Sequence, residues 1–128
     1  MNYYFTTQIK DSFENAIIRV TDELKKEGFG IITEINVTET FKNKLDVDFK
    51  NYRILGACNP NFAYQALSIE EKIGVMLPCN VIVSEINPEL VEVSAIDPSS
   101  SMQVVGEDKL DAIASQVSAK LKKVIESL

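Results

Sequence analysis

Histidine is absent from this 128-residue chain. With it goes the one side chain whose ordinary pKa suits proton shuttling near neutral pH. Acid–base chemistry is left to cysteine, carboxylate, lysine or tyrosine. Cysteine is scarce too, with two residues, which in a reducing compartment are thiols rather than a disulfide. Basic charge is short: 13 Lys and Arg face 19 Asp and Glu, for a net charge of −6 and a pI near 4.7. A protein that tracks nucleic-acid phosphates needs a basic stripe, and the basic residues here are scattered. No apolar run approaches the roughly 20 residues that cross a bilayer. The opening Met1–Phe5 has neither the basic region nor the apolar core of a signal peptide. These absences point to a cytoplasmic protein, with no nucleic-acid and no membrane partner. No nucleophile elbow, phosphate-binding Gly loop, dinucleotide fingerprint or HExxH motif is present.

What remains is an ordinary globular composition, 45% apolar and 25% charged, in a length that suits one domain over residues 1–128. Tyr3 to Ile9 alternates as a strand. Asp11 and Glu14 have capping-box spacing ahead of the helical stripe Phe13, Ala16, Ile17, Val20 and Leu24, which Gly28 closes. Phe29 to Val37 reads as a second strand, with Phe29, Ile31, Thr33, Ile35 and Val37 on one face. Thr38 starts a short helix to Leu45. Tyr52 to Cys58 is a third strand, and Asn59-Pro60 opens a short helix through Leu67, with Asn59 as cap and proline at the first position. A fourth strand lies within Val75 to Ile86 and is interrupted near its start by Pro78. Asn87-Pro88-Glu89 turns the chain into a fifth strand, Leu90 to Ile96. Ser99 to Ser101 reads as loop. A last helix runs from near Gly106 to the C-terminus on Leu110, Ile113, Ala114, Val117, Leu121, Val124, Ile125 and Leu128.

The order β-α-β-β-β-β-α, with short helices inserted, makes an α+β fold. Two long helices with one apolar stripe each cover one face of a five-stranded, mostly antiparallel sheet, in a two-layer α/β sandwich. The other face should then carry either Leu77, Cys79, Val81 and Val83 or Asn80, Ile82, Ser84 and Ile86, with Ile32 and Leu55 as further members. Neither set is plainly polar. Aliphatic sheet faces are seldom left in water, so a second copy is expected to cover this one as a homodimer.

The residues with chemical potential cluster in two segments, Gly56-Ala57-Cys58-Asn59-Pro60 and Leu77-Pro78-Cys79-Asn80. Cys58 directly precedes a helix start, whose free amides favour negative charge and lower a thiol's pKa. The same amides suit a phosphate or carboxylate. Read as packing, Cys58 is a small buried residue at a strand end. Cys79 has apolar neighbours on its face and reads as core. If the two thiols share one end of the sheet, they suit a redox pair or a soft-metal site. Zinc would further require Glu70, Glu71 or a second subunit's cysteines, and copper would gain from the Met102 thioether.

Those two segments, extended through Val83, with Ile96-Asp97-Pro98, Met102 and the helix ending at Gly28-Phe29, resemble the bacterial and archaeal domain-of-unknown-function family 302. The resemblance spans nearly the whole chain. It implies a small α/β sandwich that forms homodimers, and it implies no activity. It also suggests that Cys58, Asn59, Pro60, Pro78, Cys79, Asp97 and Pro98 border one site. Three readings stand. The first is a dimeric module that binds a small ligand or anion at Cys58, Asn59, Pro60, Cys79 and Asp97. The second is a thiol or metal protein using Cys58 and Cys79. The third is a cysteine enzyme with Glu70, Glu71 or Asp97 as its acid–base partner.

Overall fold

The computed structural model describes residues 2–128. Along the chain run β1 (Tyr4–Ile9), α1 (Phe13–Lys26), β2 (Gly30–Asn36), α2 (Val37–Leu45), β3 (Tyr52–Cys58), α3 (Pro60–Ile69), β4 (Cys79–Asn87), β5 (Leu90–Ile96), α4 (Pro98–Ser101) and α5 (Asp108–Glu126). Turns of 3-10 helix occupy Glu71–Met76 and Gln103–Val105. The five strands form one sheet in the order β1-β5-β4-β3-β2, and every neighbouring pair is antiparallel. The α1 stripe of Phe13, Ala16, Val20 and Leu24 and the α5 residues Val117, Leu121 and Val124 meet Leu55, Val81, Val83, Val91 and Val93 in one buried cluster. Each fully buried Val or Leu there contributes about 1.5–3 kcal/mol. This is the two-layer α+β sandwich that the hydrophobic periods imply.

Several boundaries differ from expectation, each for a local reason. The cap of α1 is Ser12, not Asp11: the Ser12 hydroxyl accepts the Asn15 amide at 3.3 Å, while Asp11 accepts the Ser12 amide at 2.7 Å. Asn36 caps α2 by accepting the Glu39 amide at 3.0 Å. Thr38 instead ties that helix to β3, donating to the Lys50 carbonyl at 2.6 Å and accepting the Tyr52 amide at 2.9 Å. The fourth strand, expected within Val75 to Ile86 with Pro78 near its start, begins just after that proline, at Cys79. Pro78 has no amide to give a ladder and stays outside it, and the residues before it coil into the 3-10 turn. Ser99–Ser101 are helical rather than loop, because Asp97 accepts the Ser99 amide at 3.0 Å and Pro98 takes the first helical position.

The face assignments also change. The register of β2 shifts between Ile31 and Thr33, so Ile31 and Glu34 align with Ala57 and Leu55, whereas Thr33 and Ile35 align with Gly56 and Ile54. The expected single face of β2 is therefore broken by a bulge. Leu55 is not on the outer face: it is fully buried beneath the helices, alongside Cys79, Val81 and Val83. The outer face carries Ile35, Ile54, Ile82 and Ile96 among Thr6, Ser84 and Ser94, in the register Ile35–Ile54–Ile82–Ser94–Thr6. At one corner α2 packs against β2 and β3. There the Phe49 ring lies 5.2 Å from that of Phe41 and 6.1 Å from that of Tyr52. Diagonally across, Tyr3, Tyr4, Ile82 and Ile96 border an open hollow of about 340 Å³.

Gly56 allows the bulged β2 and Pro78 to close over β3. A β-carbon there would run into the Thr33 side chain and approach Pro78 Cγ to 2.8 Å. Gly56→Ala is expected to lower the unfolding free energy by about 1–3 kcal/mol, measured by urea denaturation, with part recovered on adding Thr33→Ala. An unchanged midpoint would show that the crowding relaxes freely.

Candidate functional site

The last residues of β3, the start of α3, the start of β4, the start of α4 and the first half of α5 converge at one end of the sheet. Between them is a cavity of about 270 Å³. From the β3 end and the bulge come Ala57, Cys58, Asn59 and Ile32; from α3 come Phe62, Ala63, Ala66 and Leu67. Leu77, Pro78 and Cys79 close a second side, Pro98 and Met102 a third, and Ile113, Ala114 and Val117 of α5 form the remaining wall. No charged side chain contributes to this lining.

The cavity lies on a seam. The main core contains Ala57, Cys79, Ile113 and Val117. A second, smaller cluster of Ala66, Ile73, Met102, Leu110 and Ala114 holds α3, the following 3-10 turn and α4 against the first turns of α5. The stripe of α5 thus serves two cores. Ala57, Ala63, Ala66 and Ala114 are among the residues where they meet, and their short side chains leave part of the gap unfilled.

Three of the site residues inferred from sequence, Cys58, Asn59 and Cys79, line this one cavity, as do Pro78, Pro98 and Met102. Ala57 pairs directly with Cys79, so Cys58 and Cys79 stand one register step apart on neighbouring strands. Cys79 is buried at 7% exposure. Its thiol is pushed up to about 11, first by burial and then by the nearby Cys58. At neutral pH Cys79 is therefore an uncharged thiol, suited to packing against hydrocarbon.

Asn59 occupies the cap position of α3, yet its side chain makes no capping bond. Its Nδ2 donates instead to the Glu27 carbonyl at 3.3 Å, across the end of α1. Gly28, with φ of 86°, gives it the space, since a β-carbon there would stand 2.9 Å from that nitrogen. Pro60 has no amide, so the first unbonded amides of α3 are those of Asn61 and Phe62. Pro60 itself does not line the cavity.

Asp97 does not line it either, and its hydrogen bonds serve the fold. Its amide donates to the Tyr3 carbonyl at 2.7 Å. Its Oδ1 accepts the Ser99 amide at 3.0 Å and the Ser118 hydroxyl at 2.6 Å, and its Oδ2 accepts the Ser100 hydroxyl at 3.4 Å. This binds the end of β5 to α4 and α5 and so fixes where Pro98 and Met102 meet the cavity. Glu70 caps the 3-10 turn through the Lys72 amide at 3.1 Å, Glu71 is exposed, and neither borders the cavity. Among the described residues no three His, Cys, Asp or Glu side chains come together as a metal set. Two thiols and the Met102 thioether border the same cavity, but a metal there would first have to displace the Cys79 proton.

The wall residues that sequence reasoning did not assign to a site are Ile32, Leu77, those of α3 and those of α5. Their signal was present as an alanine-rich apolar stripe in α3 and a small residue, Ala114, inside the long stripe of α5. Alone, such stripes read as core.

The family model described as Domain of unknown function DUF302 matches residues 5–128. The chain is also similar to a solved structure, an uncharacterized conserved protein DUF302 from Bacillus stearothermophilus. The two are 26% identical, the match covers 98% of each chain, and the TM-score is 0.90. No curated protein matches the chain. Among the described residues no helix is long and apolar enough to cross a membrane.

The state of Cys79 has a measurable consequence. Its pKa is raised on folding, so the stability it confers is complete below the ordinary thiol value near 9 and is lost as pH rises through about 11. Comparing unfolding free energies of the wild type and Cys79→Ala across that range should show an excess loss of about 2–3 kcal/mol in the wild type. Parallel curves would contradict the burial of this thiol.

Proposed function

The chain belongs to the DUF302 family, whose name carries no activity, and we propose from the cavity that the protein is a binding module for a small, apolar, uncharged molecule. The observation that carries this reading is the lining: a concave space of about 270 Å³ walled by aliphatic, aromatic and sulfur-bearing side chains, with Asn59 as the one amide. Sites for small molecules share this character, a mostly apolar hollow with few polar groups to orient the ligand. Burial of ligand hydrocarbon drives binding at about 25 cal/mol per Å². With Nδ2 of Asn59 engaged by Glu27, its Oδ1 is the natural acceptor for a ligand donor. An anion held at the α3 start is the weaker form of the idea, because Pro60 removes the first amide and no cationic side chain lines the wall. The two free cysteines suit a reducing, cytoplasmic setting.

We also propose that two copies associate through the open sheet face. Its central positions are mostly isoleucine, serine and threonine, with Glu92 beside Ser84, which approaches the charge-depleted centre of protein interfaces.

Titration with n-octanol, followed by ligand-detected NMR, is expected to show saturable binding, and inorganic phosphate is expected to show none. Ala63→Phe, which projects a ring from the α3 wall, should weaken octanol binding at least about tenfold while leaving the fold intact by circular dichroism. Phosphate binding in place of octanol, or octanol binding unaffected by Ala63→Phe, would contradict the proposal. Sedimentation at micromolar concentration should give a dimer that Ile82→Lys converts to monomer; a monomeric wild type would remove the second proposal.

A further inference from the structure

Resting on the binding-module reading, we infer that the ligand class is a neutral aromatic ring system of one or two rings. Volume sets the size. An apolar cavity of about 150 Å³ accommodates benzene, so one of about 270 Å³ accommodates roughly ten or eleven heavy atoms. The wall sets the kind. Met102, Cys58 and Cys79 place three sulfur-bearing side chains around a space that also meets the Phe62 ring. Thioether and thiol sulfur make favourable contacts with aromatic rings, particularly at the ring edge, and a second ring adds edge or offset stacking. An aliphatic chain gains hydrocarbon burial and dispersion from the same wall, but not the directional sulfur–aromatic and ring–ring contacts. A charged head group has no partner among the lining side chains. Both helix-borne walls carry alanines, Ala66 on α3 and Ala114 on α5, which leave room between them for a ring.

Indole and n-octanol have equal numbers of heavy atoms and separate the alternatives. On the full chain, isothermal titration should give indole the tighter binding. Met102→Leu keeps volume and hydrophobicity but removes a sulfur. It should weaken indole by roughly two- to tenfold and leave octanol unchanged. Tighter binding of octanol, or equal effects of Met102→Leu on both ligands, would overturn the aromatic assignment while leaving the cavity a binding site. Failure of both ligands to bind would overturn the binding-module reading itself.

Discussion

One apolar stripe on α5 has to satisfy two hydrophobic clusters at once, and the rest of the structure follows from that constraint. The later part of the helix, through Val117, Leu121, Val124 and Ile125, packs on the sheet. The first turns, through Leu110 and Ala114, pack on α3, the 3-10 turn and α4. Here the junction carries alanines, so a space remains where Ile113, Ala114 and Val117 face the ends of β3 and β4. Close packing is the rule in protein interiors, and unfilled volume costs stability in proportion to its size.

The surrounding polar bonds hold that gap open from outside rather than reaching into it. Asp97 joins β5, α4 and α5 through Tyr3, Ser99 and Ser118. Asn59 joins the start of α3 to the end of α1 through Glu27. Each bond fixes the position of a wall, and apart from Asn59 the cavity they frame is lined by hydrocarbon and sulfur. The raised pKa of Cys79 reflects the same apolar surroundings, since burial disfavours the thiolate. The two cysteines then act as soft, polarisable parts of an apolar cavity lining.

The architecture was readable because period-2 and period-3.6 patterns are strong signals over long elements: β3, β5 and the stripes of α1 and α5 appear where the sequence puts them. Caps were less legible, since Ser12 against Asp11 and Asn36 against Thr38 are choices between residues one or two positions apart that can all serve as caps. The β2 bulge was invisible because it lies against Gly56 of β3, which β2's own sequence does not reveal. At the site, the short Cys-Asn-Pro and Pro-Cys-Asn segments stood out because their residue types break a strand. Phe62, Ala66, Ala114 and Val117 did not, because a helix stripe looks the same whether it meets a core or an empty space. Asp97 stood out for the right chemistry and serves another purpose, a cap whose second oxygen is also engaged.

The most direct measurement of the central claim is a crystal held under xenon pressure. An apolar, dry cavity takes up xenon, as engineered hydrocarbon cavities do. The expected result is xenon density bordered by Phe62, Met102 and Val117, with no change in the surrounding backbone. A row of ordered waters bonded through that space, or side chains collapsed across it, would contradict the account.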